Sequence, residues 1–148
     1  MPLQIPQPLY HQLRHHGEQT YPHECCGILL GKSDADQITV HQIIPAGNTR
    51  TDSAHNRYNI APQELIAAQR EARKQGLDIV GFYHSHPDHP AQYSPTDFAE
   101  AHWFHCAYVI TEVAGDKTTG RAKITNSFLL TGTTEEDKAF LPQPIAIQ

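Results

Sequence analysis

Residues 77–87, LDIVGFYHSHP, decide how the rest of the chain is read. The stretch is apolar almost without break up to Tyr83, as expected of a strand covered on both faces. The helix before it is marked just as clearly. Pro62 suits a first helical turn, where its missing N–H costs nothing. Leu65, Ala68 and Ala72 recur at helical spacing, Arg70, Arg73 and Lys74 lie near the C-terminal end of the dipole, and Gly76 can supply a left-handed cap. A helix over 62–75 feeding a buried strand over 77–86 predicts an α/β protein.

Working outward, CGILLGK (26–32) and ITVHQIIPAGN (38–48) read as strands, the second running into a loop. Residues 8–19 read as a first helix, and the polar stretch 48–57, NTRTDSAHNR, as a surface loop. Beyond the central strand, Ser94-Pro-Thr-Asp97 opens a helix expected to reach His102 or His105. AYVITEV (107–113) and RAKITNSFLL (121–130) read as late strands joined by a glycine-containing loop. Pro87 is expected to stop its strand, and the tail PQPIAIQ to be loosely attached. The expectation is a single domain over 1–148, with a core over about 8–130, a tail over 131–148, and a central sheet with about three helices.

The chain has 148 residues, enough for one hydrophobic core. Its charge of −5 argues against nucleic acid and anionic membranes, which need basic surface. No run approaches the roughly 20 apolar residues of a membrane span. MPLQIPQPLY lacks a basic segment followed by an apolar one, so no secretory signal is expected. Adjacent Cys25 and Cys26 and distant Cys106 do not make a disulfide scaffold, so a cytoplasmic location is the expectation. Histidine is the unusual component. There are 11, equal to lysine plus arginine, which prompts a search for metal ligands.

His84 and His86 sit two apart at the end of the buried strand. Side chains at i and i+2 share a face, roughly 6.6 Å apart along the chain, so two imidazoles can converge on one ion. Asp97, separated from His86 by ten residues, lies in the first turn of the next helix and can face back. Two histidines and a carboxylate, with one position open, are a catalytic zinc set. Ser94-Pro-Thr-Asp97 is equally an ordinary capping box. Glu24, in Tyr21-Pro-His-Glu-Cys-Cys-Gly27, is a candidate base; by residue chemistry alone it is one of several carboxylates.

Taken together, Pro22-x-Glu24-x-Cys26-Gly27, GFYHSHP (81–87) and Ser94-x-x-Asp97 resemble the motif of the JAMM (MPN+) metalloproteases: an upstream glutamate, then H-x-H-x7-S-x2-D. The likeness extends over about 8–130 and includes Asn48, Arg57 and Tyr58. The local wording is closest to bacterial members acting on ubiquitin-like sulfur-carrier proteins. The resemblance implies an MPN fold, a mixed sheet with flanking helices, cytidine-deaminase-like. It implies Zn²⁺ held by His84, His86 and Asp97. Glu24 would take a proton from the attacking water and pass it to the leaving amine, and Ser94 would hydrogen-bond the oxyanion. The implied partner is a sulfur carrier ending in Gly-Gly, whose peptide or isopeptide bond after that pair is cleaved to release an amino acid such as cysteine or a short extension. That would suit cysteine biosynthesis, and a homodimer is allowed for. Loop 48–57 is a candidate groove wall, with Asn48, Arg50, Arg57, Tyr58 and Tyr93 as candidate substrate contacts. Tyr93 stands where bacterial relatives often carry proline.

Two other functions compete. A non-catalytic MPN interaction module would lack the ligands that this chain keeps. A zinc nucleoside deaminase needs H-x-E with a later P-C-x-x-C, and neither occurs.

Overall fold

The computed structural model describes residues 1–48 and 59–148. Its elements run β1 (Leu3–Ile5), α1 (Gln7–Thr20), β2 (Cys26–Ser33), β3 (Ile38–Ala46), α2 (Pro62–Gln75), β4 (Asp78–Pro87), α3 (Pro95–Ala99), β5 (Ala107–Gly115), β6 (Gly120–Thr131), β7 (Ala139–Gln143) and β8 (Ile145–Ile147). Among the described residues the strands form one mixed sheet in the order β7-β6-β5-β4-β2-β3-β1-β8. The protein is therefore α/β, with a mixed sheet and three helices. No helix among the described residues is long and apolar enough to cross a membrane.

β4 lies inside the sheet, antiparallel to β2 and parallel to β5. That placement explains its unbroken apolar run, because both faces are covered. Ala68 and Ala72 of α2 pack with Ile28, Phe82, Ile110 and Phe128 on one face. Leu13 of α1 packs with Leu29, Val80, Tyr83 and Val109 on the other. The register against β2 slips by one residue, Leu30 pairing with Ile79 but Leu29 with Gly81. This bulge decides which face the later residues of β4 take, since a one-residue slip inverts every side chain beyond it. Phe82 thereby joins the α2 face, and His84 and His86 follow it at the two-residue period.

α2 starts at Pro62 and ends on Gly76 at φ 69°, as the sequence predicts. Pro87 does end β4, as the last pair of the ladder with β5, opposite Val113. Pairing with β2 has stopped at His84, so Pro87 has a strand on one side only and its missing N–H is tolerated. Three expectations need correction. α3 ends at Ala99 rather than His102 or His105, because Lys138 Nζ donates to the carbonyls of Phe98 (2.8 Å) and Ala101 (3.0 Å) and closes the helix early. The tail is not loose. β7 pairs with β6 and β8 with β1, and Phe140 is buried against Tyr108 and Phe128. The N-terminal strand β1, between β3 and β8, extends the sheet beyond the expected core.

Gly27 shows how tightly β2 and β4 meet. A Cβ there would lie 2.1 Å from the ring of buried Tyr83. Gly27→Ala is expected to destabilise the fold by about 2–3 kcal/mol, the upper range for overpacking a core. The midpoint of urea unfolding measures this; an unchanged midpoint would show that Tyr83 can move aside.

Candidate metal centre

The register of β2 against β4 assembles the site. Cys26 pairs with His84. Continuing that antiparallel register past the end of β2 sets Cys25 beside Ser85 and Glu24 beside His86. The Cys25 N–H donates to Ser85 Oγ at 2.8 Å, and the Ser85 N–H donates to the Cys25 carbonyl at 3.3 Å. Glu24 is thus carried to the histidines by strand pairing and is 4% exposed. The Asn48 side-chain N–H also donates to the Glu24 carbonyl at 3.4 Å, and Asn48 Oδ1 accepts from the Asn59 N–H at 3.0 Å. Asn48, partly buried, therefore supports the glutamate's backbone.

Three atoms converge at the mouth of β4. His84 Nε2 and His86 Nε2 are 3.1 Å apart, and Asp97 Oδ2 lies 3.4 Å and 3.0 Å from them. Ligands 2.0–2.1 Å from a tetrahedral ion are about 3.3 Å from one another, so the triangle has the size a zinc site requires. The tautomer also fits. His86 Nδ1 is 2.8 Å from the Pro90 carbonyl, to which it donates, leaving Nε2 with its lone pair toward the centre. Three nitrogen and oxygen atoms at this range can share one cation.

Burial drives His84 below its ordinary value. Burial also opposes charge on His86, but Asp97 and the Pro90 carbonyl outweigh it and raise His86. Burial would likewise raise Asp97, yet contacts to His84 and His86 and the Ser94 N–H hold it far below the usual carboxylate range. Asp97 is therefore an anion facing two imidazoles, the charge state a divalent cation needs.

Glu24, His84 and His86 also form a group whose ligand atoms lie within 4.8 Å of one another. Two atoms each about 2.1 Å from one ion cannot be more than about 4.2 Å apart. The 3.0 and 3.4 Å contacts of Asp97 meet that limit directly. We therefore favour Asp97 as third ligand, with Glu24 beside the ion.

The capping box is present as well. Ser94 Oγ accepts from the Asp97 N–H at 3.0 Å, and Asp97 Oδ2 accepts from the Ser94 N–H at 2.9 Å. Cap and site are one arrangement, because the oxygen that caps the helix also faces the histidines. Capping uses a lone pair of the Ser94 hydroxyl, whose proton makes no hydrogen bond among the described residues. Ser94 lines a cleft of about 370 Å³ with Glu24, His86, His89, Pro90 and Gln92. A second depression borders Glu24 on the side of His16, His23 and Asn48. A cavity of mixed character lies by Phe82, on the histidine face of β4, lined by Ile60, Leu65 and Trp103 and by the polar Asn59, Glu100 and His102.

Among the substrate candidates, Asn48 is at the site. Tyr93 is 40% exposed and packs on Phe128 and Phe140 at centroid distances of 5.1 and 4.8 Å. Arg50, Arg57 and Tyr58 lie outside the described residues. Sequence reasoning passed over Ser85, Pro90 and Asn126, whose side chain donates to the Ala91 carbonyl at 2.9 Å and holds the loop. Pairing across the sheet gives these residues their roles, and local spacing carries no sign of it. Cys25, Cys26 and Cys106 are buried free thiols; burial pushes Cys25 and Cys106 up to about 11.

The family model described as prokaryotic homologs of the JAB domain matches residues 6–125. A Haloferax volcanii protein named desampylase is 35% identical over 97 residues, covering 66% of this chain and 68% of that one. A Thermus thermophilus protein named a probable TtuB-protein conjugate cleaving protease is 33% identical over 108 residues, covering 73% and 68%. A Desulfitobacterium hafniense protein solved in solution superposes with a TM-score of 0.78 at 25% identity, covering 99% of this chain and 92% of that one.

Proposed function

Because the chain belongs to the prokaryotic homologs of the JAB domain and is a JAMM-type hydrolase, we propose that it is a zinc metallopeptidase acting on ubiquitin-like protein conjugates. The bond cleaved is the peptide or isopeptide bond after the C-terminal Gly-Gly of a sulfur-carrier protein. The product is an amino acid such as cysteine or a short extension, consistent with cysteine biosynthesis in the cytoplasm. The observation that carries this reading is the triangle of His84, His86 and Asp97, with sides of 3.0–3.4 Å and buried Glu24 beside it. Support for the substrate class comes from the names of the two relatives, one a desampylase and one a conjugate-cleaving protease.

His84, His86 and Asp97 would hold the zinc, whose Lewis acidity brings the ionisation of water within reach of neutral pH and polarises a carbonyl. Glu24 takes the proton from the attacking water at its carboxylate and delivers it to the departing nitrogen. Ser94 keeps its helix cap through a lone pair and donates its hydroxyl proton to the oxygen on which negative charge develops. Glycines carry no side chain and can thread the narrow approach to Glu24. The cavity by Phe82 can take side chains upstream of them. Arg50, Arg57 and Tyr58 remain proposed contacts to the carrier, with Asn48 and Tyr93 at the rim, and a homodimer is part of the same proposal.

Mass spectrometry of diglycine-extended carriers, before and after incubation with the zinc-loaded protein, tests the reaction. A new product ending in Gly-Gly that fails to form after chelation is expected; an unchanged carrier would reject the proposal. Ser94→Ala is expected to lower kcat about 100-fold with little change in KM, the size of a lost oxyanion donor. It should also cost about 1 kcal/mol of stability through the cap. A stability loss with normal turnover would confine Ser94 to capping.

A further inference from the structure

We propose that Tyr21 and Asp88 are positioning residues, a clamp that fixes Glu24 over His86. The inference rests on the reading of Glu24 as base. Tyr21 precedes Glu24 by three residues and Asp88 follows His86 by two. The Tyr21 hydroxyl donates to Asp88 Oδ2 at 2.7 Å. The same hydroxyl accepts from the Lys117 N–H at 2.9 Å, and Asp88 Oδ1 accepts from the Gly115 N–H at 2.9 Å. The Asp88 N–H donates to the Val113 carbonyl at 2.7 Å. One tyrosine and one aspartate thus join three segments: the one carrying the base, the one leaving the histidines, and the β5–β6 turn.

The placement gives the clamp its purpose. Glu24 arches over His86 on two feet. The near foot is Cys25, bonded to Ser85 just before His86. The far foot is Tyr21, bonded to Asp88 just after it. Among the described residues the Tyr21–Asp88 bond is the sole hydrogen bond from residues 21–23 to residues 84–90. The Tyr21 ring is buried over a floor of glycines; a Cβ at Gly115 or Gly120 would lie 2.6 or 2.5 Å from it. Asp88 is at the surface but accepts two hydrogen bonds as an anion, which strengthens both. It stands at φ 57°, which turns its side chain back toward Tyr21 as the chain leaves β4. An arch pinned on both sides of a ligand holds the carboxylate at a fixed distance from it, and small displacements of a catalytic group are costly.

The test compares the full-length protein with Tyr21→Phe, Asp88→Ala and the double variant on a diglycine-extended carrier conjugate. Zinc content and amide exchange are measured in parallel. Tyr21→Phe keeps the ring and removes one hydroxyl, so folding is retained. We expect kcat to fall about tenfold with KM within about twofold and bound zinc unchanged. The double variant should lose less than the two single losses combined, as expected where one interaction is shared. Amides of residues 23–25 should exchange at least about threefold faster while those of β5 stay as they were. Unchanged kcat with unchanged exchange at 23–25, kcat falling together with zinc, or acceleration spread evenly over β5 would each overturn the clamp. If the unaltered protein leaves the conjugate uncut, the functional reading fails and the exchange measurement alone decides the clamp.

Discussion

Replacing Glu24 with glutamine is expected to lower kcat by about 10²–10⁴-fold while leaving bound zinc at the unaltered level. Glutamine has the shape of glutamate but cannot accept and return a proton at neutral pH. The backbone bonds that place residue 24, from Cys25 to Ser85 and from Asn48, do not involve its side chain and survive the change. KM should move little, because the loss falls on proton transfer and not on the grip on the carrier. Elemental analysis beside steady-state kinetics checks both halves. Zinc lost from this variant would move Glu24 into the ligand set with His84 and His86, a grouping the 4.8 Å limit leaves open.

Asp97→Ala is expected to remove metal and activity together. One oxygen of Asp97 serves three partners: His84, His86 and the Ser94 N–H. Alteration of residues merely supporting a metal ligand costs about 10–100-fold in affinity, so loss of a ligand costs more. The same change breaks the capping box at α3, so a fall of about 1 kcal/mol in stability accompanies it. His84→Ala provides the control, since it removes a ligand and leaves the cap intact. Both variants should purify without zinc and fail to regain turnover when zinc is added. Full turnover by either would detach the histidines and Asp97 from the chemistry.

Much of this was legible in the sequence because the signals are local. An unbroken apolar run, a proline at a helix start and a glycine at its end mark β4 and α2 without reference to anything distant. His84, His86 and Asp97 are close in the chain, so strand and helix periods suffice to bring them together. Glu24 was identifiable only by resemblance, since its approach to His86 depends on the pairing of β2 with β4. The bulge at Leu29–Leu30 against Ile79–Gly81, which sets the face of the histidines, has no signature in LDIVGFYHSHP. β1 and β8 were missed for a related reason. Three-residue strands carry too little period to read, and each exists because the other lies beside it. The end of α3 was misplaced because its stop signal, Lys138, lies 40 residues downstream of Phe98.

The strands at the two ends of the sheet order, β7 and β8, are separated in sequence by Pro144 alone, whose carbonyl accepts from the Leu3 N–H at 2.8 Å. The sheet must therefore curl until its margins nearly touch, and one short segment seals both. A growing polypeptide leaving the ribosome acquires α1 and the β2–β3 hairpin early, yet residues 3–5 wait for 145–147 before their second neighbour exists. Closure thus waits until residues 145–147 have been synthesised, and until then both unsealed margins are open to pairing with other chains.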